Sequence, residues 1–150
     1  MPNTPALVGE GMAAVSAGTS ASEADVAHAM DLMTALGKAI TVPEAYQDAV
    51  TAISGSGPAY LFFVVEAMID AGVLLGLPRD ISSTLVSQTI FGSAKLLVES
   101  GQHPTVLREQ VTSPGGTTAA ALRQLEDHKV KAAFLTAIEA ARDRSRALAG

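Results

Sequence analysis

The residues best placed to do chemistry stand together near the last third of the chain, at Ser113-Pro114-Gly115-Gly116-Thr117-Thr118. Pro114 fixes one backbone angle. Gly115 and Gly116 open conformations closed to other residues and remove side chains that would block a close approach. Thr117 and Thr118 fall where the spacing predicts a helix start. The first N–H groups of a helix have no internal partner and sit at its positive dipole end. Such a start can hold a carboxylate or phosphate, and threonine hydroxyls beside it can donate or accept. A plain tight turn capped by a threonine accounts for the same six residues, so spacing alone leaves both readings open.

Other candidates carry less. Asn3 precedes Thr4-Pro5 and has the form of an Asx turn. Ser56 and Gly57 stand at a helix start, as caps or as residues facing a site. Glu66 and Asp70 are four apart on one helical face; they read as structural carboxylates with polar partners. His28, His103 and His128 are dispersed without ligand spacing, so no metal site is expected, and His103 reads as a helix-start residue before Pro104. Arg142, Arg144 and Arg146 read as a solvated terminus, and Tyr60 as a core residue.

The elements that must position these residues read as helices. Residues 1–19 are irregular, with a short helical piece expected around Ala6 to Ala14. Ser20 and Glu23 have capping-box spacing. Val26, Met30, Met33 and Leu36 recur at helical intervals up to a left-handed stop at Gly37. Lys38 to Val42 reads as a brief strand or an extended link. Pro43 opens a helix to about Ser54, and Ser54-Gly55-Ser56-Gly57-Pro58 interrupts the chain. The next helix, to about Leu75, is apolar nearly all round and is expected to be buried. Pro78 opens a long helix to about Ser100, and a short one from Pro104 ends near Val111. The glycine turn leads to a helix ending near Asp127 and a last one over about 129–148. The predicted class is all-α.

Composition agrees. The chain has 150 residues, 48% hydrophobic and only 4% aromatic, with no Cys and no Trp. That suits close-packed helices of Ala, Val, Leu, Ile and Met better than a sheet. The absence of Cys excludes disulfides and Cys-ligated metals, and a cytoplasmic location is expected. The net charge of −5, with Lys and Arg scattered, argues against a nucleic-acid surface. The most apolar run, Ala59 to Leu77, carries Glu66 and Asp70, which are costly inside a bilayer, so no membrane span is expected. Charged residues make up 17%, against an ordinary ~25%. So little charge beside so much apolar content points to a surface covered by a partner, and an interlocked helical homodimer would enclose the long apolar helix.

Eight segments stand in order: Met1-Pro2-Asn3-Thr4-Pro5, Ser54-Gly55-Ser56-Gly57-Pro58-Ala59-Tyr60, Glu66-Ala67, Asp70-Ala71-Gly72-Val73, Gly76-Leu77-Pro78-Arg79, Gln88-Thr89, His103-Pro104 and Val111 to Thr118. As an ordered set spanning essentially the whole chain, they resemble the second half of pyrroline-5-carboxylate reductase. That family reduces a cyclic imine to proline with NADPH or NADH, the last step of proline biosynthesis. The resemblance implies an N-terminal Rossmann domain and a C-terminal helical domain that dimerises, with dimers assembling further into decamers.

The chain departs from the whole-family pattern in having no GxGxxG motif and no expected βαβ alternation. The expected organisation is an interdomain lead-in over 1–19 and a helical dimerisation and substrate-binding domain over 20–150, the Rossmann domain being absent and this chain alone inactive. By resemblance, Ser113, Gly115, Gly116, Thr117 and Thr118 bind substrate, with backbone N–H groups on its carboxylate. Thr118 is the catalytic candidate, approaching the ring nitrogen, and Asn3 lies beside the cofactor. Two rival readings are a helical dimerisation module without chemistry and the helical domain of another Rossmann-fold dehydrogenase. The latter types use a catalytic Lys with a nearby Asn, and Lys38, Lys95, Lys129 and Lys131 show no such local signature.

Overall fold

The computed structural model describes residues 1–149. They group into two compact units, one of residues 1–61 with the chain from Phe134 onward, the other of residues 62–133.

The first unit opens on a 3-10 turn, Thr4–Val8, closed by Gly9 in the left-handed region at φ 76°. Strand β1 (Gly11–Val15), helix α1 (Glu23–Thr34) and strand β2 (Gly37–Thr41) follow. The strands pair in parallel, Gly11 opposite Gly37 and Val15 opposite Thr41, so α1 is the crossover of a βαβ unit. The sequence pattern predicts a helical piece near Ala6–Ala14 and no such unit. Five-residue apolar runs do not reveal their period, and β1 has one β-branched residue, Val15. Glycines set the pairing: Gly37 is not a helix stop but the first residue of β2, at φ 144°, and a Cβ there would strike the Gly11 backbone. Ala13 and Ala14 are buried under this pair. The capping box also lies two residues later than Ser20/Glu23, at Ser22 and Asp25.

From Pro43 one helical run changes type twice. A 3-10 turn (Glu44–Tyr46) passes into α2 (Gln47–Val50), then into a π-helical turn over Thr51–Gly55, before α3 (Gly57–Leu74) begins. Ala52, inside the π turn, is fully buried. The last helix, α7 (Val130–Leu148), returns to this unit, where Ser145 Oγ donates to Asp48 Oδ1 at 2.7 Å.

In the second unit α3 continues to Leu74, Gly76 (φ 95°) turns the chain, and α4 (Arg79–Ser100) follows Pro78, ending at Gly101. The two helices meet at a small-residue contact. Ser82 is buried and donates to the Ile69 carbonyl at 2.9 Å, and Gly72 lies against it. Asp70 pairs with Arg79 at 2.9 Å across the same corner, while Glu66 is exposed. Helices α5 (Pro104–Gln110) and α6 (Thr117–Asp127) complete the unit. Apart from the two-stranded pair, the regular structure of the described residues is helical.

Helix α3 corrects one expectation. It holds no buried residue in the single chain. Phe62, Phe63 and Leu74 are 67%, 73% and 87% exposed, and α4 likewise exposes Ile81, Leu85 and Phe91. Among the described residues only Ala13, Ala14, Ala52 and Val86 form a buried apolar core. All-round apolarity says that a helix is covered, not by which chain. By length and composition the helical run Glu44–Leu74 could also cross a bilayer; Glu66 and Asp70 count against that.

Two outcomes follow from this geometry. A methyl group at Gly72 would sit 3.0 Å from Ser82 Cβ and collide with its hydroxyl. Gly72→Ala is therefore expected to destabilise by about 1–3 kcal/mol, read as a lower thermal midpoint, with Gly92→Ala, which meets open space, as the control. At α1, hydrogen bonds from the Ser22 hydroxyl and backbone N–H hold the Asp25 carboxyl below the usual aspartate range. A depressed folded value means the cap contributes above the unfolded value and is lost as pH falls through the folded one. Amides of the first α1 turn should exchange faster in acid, below about pH 4, and Asp25→Asn should abolish that dependence.

Candidate functional site

The Ser113–Thr118 segment is built between two helices of the second unit. Helix α5 ends in a tight wrap, where Thr112 donates from N to the Glu109 carbonyl at 3.0 Å and from Oγ1 to the Arg108 carbonyl at 2.6 Å. The chain then reverses over residues 113–116, closed by Gly116 N–H to the Ser113 carbonyl at 3.0 Å. Pro114 stands second and Gly115 third, at φ 68°, which is the pattern of a type II turn. Gly116 is glycine for a different reason. Its φ of −78° suits any residue, but a Cβ there would collide with Ser113 Oγ and lie 3.2 Å from its carbonyl.

Helix α6 begins immediately after, at Thr117. Its N-cap is Gly116, with no side-chain cap, and its first turn carries no acidic residue. The capping threonine of the plain-turn reading is therefore absent. The starts of α1 and α5 differ, whereas α4, after Pro78, also begins without a side-chain cap. Ser22 and Asp25 close the start of α1, and at α5 the Thr105 N–H donates to His103 Nδ1 at 3.2 Å, which fits the helix-start role expected of His103. The opening N–H groups of α6, at Thr117, Thr118 and Ala119, have no helical acceptor. Thr118 and Gly116 are half-buried, whereas Ser113, Gly115 and Thr117 are exposed. The segment can thus offer backbone donors, the helix dipole and threonine hydroxyls to an anion bearing a nearby ring atom.

Asn3 belongs to the first unit, and its carboxamide is engaged at both ends. Oδ1 accepts from the Met12 N–H at 2.8 Å, and Nδ2 donates to the Ser54 carbonyl at 3.0 Å. Ser56 lies in the π turn's exit, its N–H donating to the Thr51 carbonyl at 2.8 Å. Tyr60 is half-buried rather than a core residue, and its hydroxyl donates to the Ala52 carbonyl at 3.1 Å. The π turn has no signal in hydrophobic periodicity; the pointer is Pro58, which lacks the N–H that an unbroken helix would use. Ser16 and Gln47 also escape a reading by motif. Ser16 Oγ donates to the Val42 carbonyl at 2.9 Å and accepts from Gln47 Nε2 at 2.6 Å, tying the ends of both strands to α2. No group of three or more His, Asp or Glu side chains that could hold a metal occurs among the described residues.

Residues 44–148 match the family model described as pyrroline-5-carboxylate reductase dimerisation. Over 148 residues the chain is 49% identical to a pyrroline-5-carboxylate reductase of Arabidopsis thaliana, covering 99% of this chain and 54% of that protein. A pyrroline-5-carboxylate reductase of Synechocystis is 46% identical over the same length, with 55% of it covered. The chain therefore spans about half the length of these curated relatives. Among solved structures, a Plasmodium falciparum pyrroline carboxylate reductase with NADP bound superposes with a TM-score of 0.94 at 40% identity, covering all of this chain and 62% of that one. One from Streptococcus pyogenes superposes with a TM-score of 0.93 at 33% identity, covering 98% of this chain and 57% of that one. A family model matched over most of the chain, on a fold shared almost throughout, makes this chain a member of the pyrroline-5-carboxylate reductase family, carrying its dimerisation region.

Proposed function

We propose that this chain is the C-terminal part of a pyrroline-5-carboxylate reductase, which reduces 1-pyrroline-5-carboxylate to L-proline in the cytoplasm as the last step of proline biosynthesis. The observation that carries the reading is the uncapped start of α6 behind a glycine turn, in a chain of this family. Of the three N–H groups expected on the substrate's carboxylate, that of Gly116 closes the turn on the Ser113 carbonyl, so the carboxylate lies on those of Gly115 and Thr117. Thr118 orients the ring nitrogen through its hydroxyl or passes a proton to it. Ser113 supports the turn from the other side.

A nicotinamide cofactor, NADPH or NADH, supplies the hydride to the imine carbon when bound. The described residues do not form its phosphate cradle. The turn between β1 and α1 is the one place of that type, and the start of α1 is closed by Ser22 and Asp25. Cofactor phosphates are thus held by parts of the Rossmann domain other than this βαβ unit, and this chain alone is inactive. In place of the boundary expected at residue 20, we put it near Pro43, with the βαβ unit over 11–41 as part of the Rossmann domain, a reading that the family match over 44–148 supports. The exposed apolar faces of α3 and α4 are covered by a second copy in a homodimer, from which a decamer can be built.

The full-length enzyme tests this. Thr118→Ala should lower kcat by on the order of 10²-fold. Gly116→Ala, which forces Ser113 aside, should act mainly by raising KM for pyrroline-5-carboxylate. No turnover of this imine by the wild type would overturn the reading, and full activity in Thr118→Ala would remove that residue's role. The 150-residue chain by itself should sediment as a dimer at micromolar concentration; a compact monomer would contradict the interlocked helices.

A further inference from the structure

We propose that Asn3 is a positioning residue that acts through the π turn rather than by contacting the cofactor. This rests on the reductase reading above. Residues 51–55 leave the α-helical hydrogen-bond register, with Ser56 N–H reaching back five residues to the Thr51 carbonyl. Two carbonyls of this turn would otherwise lack donors. In an α-helix the Ser54 carbonyl would accept from residue 58, which is Pro58 and has no N–H. Asn3 Nδ2 supplies that proton at 3.0 Å. The Ala52 carbonyl, whose α-helical donor Ser56 is committed to Thr51, takes the Tyr60 hydroxyl at 3.1 Å.

The other end of the Asn3 carboxamide is fixed as well. Its Oδ1 accepts from Met12 in β1, and the backbone around it is held by an exchanged pair of bonds between Met1 and Ala14 at 2.8 and 3.0 Å. Asn3 is therefore a strut between a paired strand and the π turn. It holds Ser56 and Gly57, the residues that open α3, at a fixed height against the βαβ unit. Single π turns recur at functional sites because they move a short stretch of helix without unfolding it. A carboxamide is the side chain that can serve here, since one end must accept and the other donate.

Three variants of the full-length enzyme test the strut, with amide exchange at Met12 and Ser56 read beside kcat, KM and the NADPH dissociation constant. Asn3→Ala should speed exchange at both amides and lower kcat about tenfold, with NADPH affinity within about twofold of wild type. Asn3→Asp keeps the acceptor for Met12 but loses the donor to Ser54, so only Ser56 should exchange faster. Adding Pro58→Ala to Asn3→Ala gives residue 58 an N–H of its own; kcat and Ser56 protection should recover, while Met12 stays unprotected. A weakened NADPH affinity matching the loss of kcat, with no recovery on adding Pro58→Ala, would show direct cofactor contact and overturn the proposal, as would unchanged Ser56 exchange in Asn3→Ala. If the wild type does not turn over pyrroline-5-carboxylate, the reductase reading fails, and the exchange data still decide whether Asn3 holds the turn.

Discussion

The chain carries more apolar surface than it can bury by itself, and most of its architecture answers to that excess. Ala13, Ala14, Ala52 and Val86 are its buried apolar residues among those described, too few to stabilise a domain of this length by their transfer from water. The helices with the most apolar surface, α3 and α4, turn it outward. Where they touch each other they do so through Gly72 and Ser82 rather than through large side chains. A small-residue contact brings two backbones close and leaves the bulky side chains free for another surface. The family's dimerisation model lies over this same stretch.

Backbone hydrogen bonding is the second constraint, and it is handled in opposite ways at two places. At the π turn, carbonyls left over by the change of register are given donors from Asn3 and Tyr60. At the start of α6 the leftover groups are N–H donors, and no side chain of the helix caps them. Buried polar groups are rarely left unpaired. The start of α6 has no side-chain cap and is preceded by a turn that two glycines and a proline hold in place. The difference separates a segment finished by side chains of this chain from one whose donors no side chain caps.

Much of this was legible in the sequence, for identifiable reasons. Pro78, Gly101 and Pro104 mark helix ends through backbone chemistry that tertiary contacts seldom override, and the helices stand where those residues put them. The Ser113–Thr118 turn was legible for the same reason. The βαβ unit was not, because Gly11 and Gly37 act across 26 residues of chain and each alone looks like ordinary punctuation. The capping box falls two residues later than its spacing suggests because Ser20 and Ser22 are near-equivalent candidates, and the choice falls to the pair that closes both hydrogen bonds. Tyr60 reads as core because an aromatic ring in an apolar run usually is, whereas its hydroxyl is the part used.

The π turn also sets a phase. Each residue advances an α-helix by about 100°, so a single extra residue in the π turn rotates the first turn of α3, residues 57–61, by that angle relative to what precedes it. The helix before the turn is oriented by α7 through Asp48, and the first turn of α3 after it carries Tyr60, whose hydroxyl meets the Ala52 carbonyl. Deleting one residue from Thr51–Gly55 would restore the α-helical register up to Pro58, whose missing N–H would still leave one carbonyl without a helical donor. It would also swing Tyr60 by about 100° around the axis relative to Asp48, away from the place where its hydroxyl meets the Ala52 carbonyl. The irregular turn is thus the setting of a dial, and regularity at that point would turn the first residues of α3 away from the face they now present.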